Sequence, residues 1–297
     1  AFFQAAAHAV VGLGLPPISG LQWVIALVSA LAIPAIASVS RTLAGGTGLE
    51  GWVLAAVASA GSSALFFGHI ETYTVPAVLM LAFVAASLRS LDDGGAAVPC
   101  LLFAAACAFH MQMLILAPCL ALVCWRVSRR TESLRPWLQA AAFAAVPLAL
   151  LQLLCLAYPP PYAQSYGGGD GRMLVLGERL LSGVHWTSVF NRLCLYSPAA
   201  LPALLLAPMA WKGDRLQSAF LLLLAGGWGA FLVLWNPDLG SFKDWDLYAP
   251  GGFAFMLAAV LLALRLPPGC RRPALAAMAA LNLGRTLPFV ADNHLLL

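Results

Sequence analysis

The feature that most constrains this chain is the alternation of long apolar runs with short polar segments. The runs are about 15 to 25 residues long, the length that an α-helix needs to cross a hydrocarbon core about 30 Å thick. A membrane β-barrel would instead alternate polar and apolar residues over about ten residues, and no such alternation occurs. The pattern predicts an all-α fold, a polytopic transmembrane helical bundle.

The composition supports this prediction. Of 297 residues, 62% are hydrophobic and 9% are charged, whereas a soluble domain carries about 25% charged residues. The seven cysteines lie mostly inside apolar runs without a CxxC pair, as small core residues do. The formal charge of +4 comes from basic residues in short loops between the runs, so we expect no nucleic-acid partner.

The first residues, 1–17, are half polar and lack the basic start of a signal peptide. The last residues, 291–297, give no stop signal either. We therefore expect a single transmembrane domain over 1–297 that belongs to a longer protein and is truncated at its N-terminus.

The span count depends on one apolar stretch, 99–125. As one helix, it would put the arginines of 126–135 on the opposite side from Arg41 and Arg89, against the tendency of basic residues to stay cytoplasmic. Two short helices that turn near 109–112 remove this conflict and predict ten spans, with nine as the alternative. The other predicted spans are 21–40, 50–68, 72–91, 137–157, 196–211, 216–235, 248–266 and 273–290.

With that turn, eleven of the sixteen basic residues share one face, which we assign to the cytoplasm. They are Arg41, Arg89, Arg126, Arg129, Arg130, Arg135, Lys212, Arg215, Arg265, Arg271 and Arg272. The non-basic polar segments, including an extracytoplasmic loop at 158–195, then fall on the other face.

The densest polar segment is 236–248, directly before a span. Asp244 and Asp246 can accept hydrogen bonds from hydroxyls, Trp245 can stack on a sugar and Lys243 can meet a phosphate. The spacing of the two aspartates could hold one hydrated Mg²⁺ or Mn²⁺, or turn only one carboxylate inward. The alternative is a solvated loop with an aromatic belt, but the scarcity of charge elsewhere favours a site.

A second polar segment, 68–73, contains His69, Glu71 and Tyr73 between two spans. Ionisable groups so close to hydrocarbon are costly unless they face a polar cavity. Glu71 could act as a base or hold a ligand, and His69 could donate to a phosphate. Helix capping and snorkelling at the interface explain the same residues equally well.

Two further groups are weaker candidates. His110 and Gln112 at the predicted turn could bind a ligand or only bond to neighbouring helices. In the loop 158–195, Arg172, like Arg179 and Arg192, could contact a phosphate, although a connector is the favoured interpretation. The glycine run of this loop lacks the strand and the Lys-Ser/Thr pair of a nucleotide-binding loop.

In layout, the chain resembles the GT-C superfamily of membrane glycosyltransferases, which includes protein O-mannosyltransferases and bacterial lipid A aminoarabinose transferases. The opening, 2–46, looks like the interfacial helix and span that follow the first extracytoplasmic loop of those enzymes. Glu71-x-Tyr73 is similar to a polar Glu-Tyr element after the next span, and the turn at 109–112 resembles one that carries a polar pair in the family.

The resemblance implies sugar transfer from a polyprenyl-phosphate carrier to an acceptor on the extracytoplasmic face of the bacterial inner membrane, without a nucleotide sugar. It implies that Glu71 and His69 lie near the carrier phosphate or the acceptor, that His110 and Gln112 line the cavity, and that Asp244 and Asp246 lie at its mouth. The family's catalytic carboxylate usually precedes the region that matches Ala1, so it is assigned to no residue here.

Two other functions fit the same sequence. A transporter or flippase would also use intramembrane polar residues and proline-broken spans, although the two halves show no convincing repeat. A non-catalytic membrane subunit would use the many small residues to pack against a partner.

Overall fold

The computed structural model describes residues 12, 14, 16–67, 73–157, 174–209, 214–236 and 245–295. Three 3₁₀ helices of this part of the chain occupy Gly61–Phe66, Met111–Leu116 and Leu204–Met209. The α-helices are, in chain order, α1 (Pro17–Ala30), α2 (Ala32–Ala44), α3 (Glu50–Ala58), α4 (Thr74–Asp92), α5 (Ala97–Phe109), α6 (Ala117–Thr131), α7 (Arg135–Ala157), α8 (Glu178–Leu181), α9 (Gly183–Tyr196), α10 (Ala200–Ala203), α11 (Arg215–Leu234), α12 (Trp245–Leu264) and α13 (Pro268–Leu295).

The predicted all-α, polytopic fold class is confirmed. The described residues form no β-strand, and an isolated bridge pairs Leu174 with Trp235. Six helical segments in this part of the chain are long and apolar enough to cross a membrane, so the protein is a multi-pass integral membrane protein. They are Gly20–Ala44, Thr74–Asp92, Met111–Thr131, Arg215–Leu234, Asp246–Leu264 and Pro268–Asp292.

The chain reverses at His110, as the positive-inside rule predicted. His110 is extended (φ −154°, ψ 122°) and ends α5. At the far end of α6, Arg126 Nε donates to the Leu91 carbonyl at 3.3 Å, and Arg130 Nη1 donates to the Asp92 carbonyl at 2.6 Å. Because these carbonyls lie just before α5, α6 returns to the end of the bundle where α5 begins. The long apolar stretch is therefore two helices.

Further contacts bring other basic residues to the same end of the bundle. At the end of α4, Arg89 donates to the hydroxyl of Ser38 in α2. Arg265 Nη2 donates to the Asp214 carbonyl at 3.2 Å, which joins the end of α12 to the start of α11. The Arg272 guanidinium lies 5.0 Å from the centre of the indole ring of Trp52 in α3. We call this the arginine-rich end, defined by Arg89, Arg126, Arg130, Arg265 and Arg272.

Helix α12 lies at the centre of the bundle, and nearly all of its residues are buried. Helix α12 packs closely against the first 3₁₀ helix and the end of α9 because Gly252 has no side chain. A Cβ atom there would overlap the Ser62 hydroxyl and would lie 2.6 Å from Cβ of Tyr196. The ring of Phe253 stacks on that of Phe66 at 5.6 Å. These contacts hold the first 3₁₀ helix and the end of α9 against α12.

Helix α13 is tied to the bundle by buried hydrogen bonds. Asn282, which is fully buried, donates from Nδ2 to the Ala56 carbonyl at 3.1 Å and accepts from the Ala199 amide at 3.3 Å. One turn later, the Thr286 hydroxyl donates to the Ser59 carbonyl at 2.9 Å. An unpaired amide would be costly inside a membrane protein, so these bonds fix the register of α13 against α3.

Two predicted spans are not continuous α-helices. In the predicted span 50–68, α3 ends at Ala58 and a 3₁₀ helix follows at Gly61–Phe66. In the predicted span 196–211, the described residues after the end of α9 form α10 and another 3₁₀ helix, in a segment where prolines 198, 202 and 208 remove backbone donors. The second half of the predicted loop 158–195 contains α8 and most of α9, while 158–173 lies outside the described residues. The ten-span count stays a prediction.

Candidate functional site

Four predicted site residues have described side chains and gather at the end of the bundle opposite the arginine-rich end. We call Tyr73, His110, Gln112 and Asp246 the Asp246 site. Trp245 is the first residue of α12. The other predicted site residues, His69, Glu71, Arg172, Lys243 and Asp244, lie outside the described residues.

A hydrogen bond joins the turn after α5 to the first turn of α12. Gln112 Nε2 donates to the Leu247 carbonyl at 2.6 Å, across 135 residues of sequence. The Gln112 side-chain oxygen is buried and has no hydrogen-bond partner among the described residues. Two segments that the sequence presented as separate motifs therefore adjoin, and Gln112 offers an acceptor beside them.

His110 is oriented by its own turn. Its Nδ1 accepts from the Gln112 amide at 3.2 Å, so a neutral His110 carries its proton on Nε2. The ring of Tyr73 lies 4.8 Å from the imidazole, with 49° between the planes. Tyr73 directly precedes α4, so the third predicted segment, 68–73, ends in contact with the same site.

Asp246 supplies the negative charge of the site. It is only 9% exposed and lies in the first turn of α12, where the helix dipole favours a carboxylate. Burial lowers the pKa of His110, and the nearby Asp246 carboxylate opposes this effect with a smaller upward contribution. His110 is therefore neutral at pH 7, close to an acidic group.

A layer of aromatic side chains packs against the helix turn that carries Asp246. The Tyr248 hydroxyl donates to the Trp235 carbonyl at 3.1 Å and so joins the end of α11 to the start of α12. The ring of Phe231 stacks on Trp235 at 5.2 Å and lies 5.4 Å from the Tyr248 ring. The Arg192 guanidinium also contacts this layer, 4.3 Å from the Tyr248 ring centre. These contacts fix the helix turn that carries Asp246.

The chemistry available at the Asp246 site is acid–base chemistry and recognition of hydroxyl groups. A carboxylate can take a proton, the His110 Nε2–H can donate, and the Gln112 oxygen can accept from a hydroxyl. The rings of Tyr73 and His110 offer apolar faces beside these groups.

The predicted divalent-cation site is not tested by these residues. Among the residues that the structure describes, no group of three or more His, Cys, Asp or Glu could hold a metal ion. Asp244, the predicted partner of Asp246, lies outside them. Coordination of Mg²⁺ or Mn²⁺ stays a prediction.

Sequence reasoning gave too little weight to two arginines. Arg192, considered only as one of three loop arginines, is 5% exposed and donates to the Leu232 carbonyl at 3.4 Å and to the Ser188 hydroxyl at 3.1 Å. The burial of Arg192 could have been predicted from sequence, because positions 185, 188, 192 and 196 of α9 are three or four residues apart and so share one helix face. Arg285 was not identified, although an arginine inside the apolar run 273–290 is a signal.

No family model matches the chain, and the comparisons with curated proteins and with solved structures found no match either. The resemblance to GT-C glycosyltransferases therefore rests on the sequence layout alone.

Proposed function

We propose that this protein is a membrane glycosyltransferase that moves a sugar from a polyprenyl-phosphate carrier to an acceptor. The observation that supports the proposal is the hydrogen bond from Gln112 to Leu247, with His110 and Asp246 beside it. It brings together polar groups from distant parts of a chain in which charge is scarce. A buried carboxylate among hydrogen-bonding groups is a typical site for acid–base chemistry.

The orientation supports a lipid-linked donor. The positive-inside rule assigns the arginine-rich end to the cytoplasm, so the Asp246 site would face the extracytoplasmic side of a bacterial inner membrane. Nucleotide sugars are cytoplasmic metabolites, whereas a polyprenyl-phosphate sugar reaches its site from the lipid phase. A multi-pass helical protein offers such a carrier lateral entry between helices.

In the proposed reaction, Asp246 takes the proton of the acceptor hydroxyl. The acceptor oxygen then forms a bond to the anomeric carbon, while the bond from that carbon to the carrier phosphate breaks and the phosphate leaves with the electron pair. The His110 Nε2–H would donate to the phosphate, and the Gln112 oxygen would accept from a sugar hydroxyl. General-base assistance of this kind contributes about 10²- to 10⁴-fold in rate.

Residues adjacent in sequence complete the proposal. Glu71 and His69 precede Tyr73, and Lys243, Asp244 and Trp245 precede Asp246. Glu71 and Asp244 are alternative bases or, with Asp246, ligands of Mg²⁺ or Mn²⁺. His69, Lys243 and Arg172 are candidate phosphate contacts, and Trp245 is a candidate platform for the sugar.

The test is sugar transfer by the full-length protein, purified and reconstituted in liposomes with polyprenyl-phosphate-linked sugars. We expect Asp246→Asn to lose at least about 100-fold in rate, because asparagine cannot accept the proton. Glu71→Gln and Asp244→Asn are measured in parallel. The matched control is Asp93→Asn, which removes an exposed carboxylate beside the arginine-rich end. Equal loss in Asp93→Asn and Asp246→Asn would contradict the assigned site.

A transporter or flippase is the principal alternative. It would bind the lipid-linked sugar and move it across the bilayer without breaking the sugar–phosphate bond. Against it, the four residues of the Asp246 site lie at one end of the bundle, whereas transport sites lie near the bilayer midplane. Transfer by the purified wild type would also exclude a purely non-catalytic subunit, because no partner is present in that assay.

A further inference from the structure

A cavity of about 880 Å³ lies between α9 and α13, and we call it the α9–α13 cavity. Its size is within the range of small-molecule sites, about 300 to 1,000 Å³. Among the residues that the structure describes, its polar lining consists of hydroxyl, amide and guanidinium groups on α9 and of one guanidinium on α13. The residues that carry the argument are Thr187, Ser188, Asn191, Arg192, Arg285 and Phe289.

The described lining of this cavity is positively charged. Among the described residues that line it, the formally charged side chains are Arg192 and Arg285. The Arg192 guanidinium is held in place by the Leu232 carbonyl, the Ser188 hydroxyl and the face of the Tyr248 ring. Two guanidinium groups in the lining of one cavity, one of them preorganised, are suited to an anion with several oxygens, above all a phosphate.

Arg285 lies well inside the apolar segment Pro268–Asp292, which is long enough to cross a membrane. It follows Arg272 of the arginine-rich end by thirteen residues on the continuous helix α13, about 20 Å at 1.5 Å per residue. Its side chain is exposed, and the guanidinium lies 5.7 Å from the centre of the Phe289 ring. A charged group at such a depth is costly and marks a functional site.

The surroundings of the cavity are apolar and exposed, as expected of a surface that contacts lipid tails. On α9, the side chains of Val184 and Phe190 are exposed. On α13, leucines on either side of Arg285 are exposed as well, namely Leu281, Leu283 and Leu287. An amphiphilic ligand would place its phosphate between the arginines and its chain along these residues, whereas a free anion would gain nothing from them.

We infer that the α9–α13 cavity binds the phosphate headgroup of an anionic membrane lipid. Basic pockets between membrane helices recognise lipid phosphates in this way. The inference does not depend on sugar transfer, because it concerns residues outside the Asp246 site. If the protein transfers sugar but binds no lipid at this cavity, the inference is wrong and the proposed function stands. If it binds lipid but transfers no sugar, the inference stands and the proposed function is wrong.

The test is native mass spectrometry of the purified full chain in detergent, titrated with short-chain phosphatidic acid or with phosphatidylcholine of the same chain length. We expect phosphatidic acid to bind at least about tenfold more tightly. Arg285→Gln should weaken its binding about tenfold, which corresponds to about 1.4 kcal/mol, because the variant loses a charge-assisted hydrogen bond to the phosphate. The control is Arg129→Gln, an exposed arginine of α6 that is not among the described lining residues.

A second variant tests the cavity without changing its charge. Thr187 is exposed on α9, so Thr187→Trp should fold and fill the space. We expect it to weaken phosphatidic acid binding as much as Arg285→Gln does. Wild-type affinity in either variant, or equal affinity for phosphatidylcholine, would overturn the inference. Displacement of phosphatidic acid by an equal concentration of inorganic phosphate would overturn its lipid part, since a free anion would then suffice.

Discussion

The side-chain amide of Gln112 donates a hydrogen bond to the backbone carbonyl of Leu247 at 2.6 Å. The bond connects the reversal of the chain at His110 to the helix turn that carries Asp246. Because one donor joins two elements of the Asp246 site, its removal should affect stability and function together.

We predict that Gln112→Ala lowers the free energy of unfolding by about 1 kcal/mol, the net value of one such hydrogen bond. Sugar transfer should fall as well, because the Asp246 turn loses its connection to His110. The measurements are thermal unfolding in detergent and the transfer assay. Gln22→Ala, at an exposed position of α1, is the control. If both variants unfold and react alike, the Gln112 bond has no special role.

A second prediction concerns pH. Burial lowers the pKa of His110 in the folded protein, while an unfolded histidine has a pKa of about 6.5. The unfolded state therefore binds more protons below that value, and stability falls as the pH drops from about 6.5 toward the lowered folded pKa. We expect a lower melting temperature at about pH 5.5 than at about pH 7.5, and a smaller difference in His110→Gln.

His185 is the internal comparison for that experiment. Burial and the nearby charge of Arg192 lower its pKa, while a hydrogen bond with the Val233 backbone opposes them. It contributes to the pH dependence with the same sign, so His185→Gln and the double variant are measured together with His110→Gln. An unchanged pH dependence in His110→Gln would show that His110 is not buried in its neutral form.

The membrane fold was predictable because the hydropathy of each span and the charges of its flanking loops can be read from a short stretch of sequence. The turn at His110 followed from the positions of arginines alone, and the bonds from Arg126 and Arg130 to the α5 entrance agree with it. The Gln112–Leu247 bond was not predictable, since its partners are 135 residues apart and one of them is a backbone carbonyl. The site motifs were recognisable separately, but their convergence depends on tertiary packing.

The break in the predicted span 50–68 has the same kind of cause. Hydropathy does not distinguish an apolar α-helix from an apolar 3₁₀ helix. A close contact at the break is made by a residue without a side chain, Gly61, which lies against the backbone of α9 at Leu195. Only the folded structure reveals that this glycine is a packing requirement.

The third prediction tests that contact. A Cβ atom at Gly61 would overlap the Leu195 carbonyl oxygen and would lie 2.9 Å from its carbon, so backbone would have to move. We expect Gly61→Ala to lower the free energy of unfolding by about 1 to 3 kcal/mol, as overpacking does. The shift of α9 should also weaken phosphatidic acid binding at the α9–α13 cavity, because Arg192 is carried by the same helix.

The matched control is Gly51→Ala in α3, where an added Cβ meets nothing within 4 Å. That variant should be neutral or slightly stabilising, since alanine favours a helix over glycine. Thermal unfolding in detergent and lipid titration distinguish the two variants. The prediction is wrong if Gly61→Ala is as stable as Gly51→Ala and binds lipid like the wild type. In that case α9 and the first 3₁₀ helix would leave room for a methyl group, which contradicts the close approach of Gly61 to Leu195.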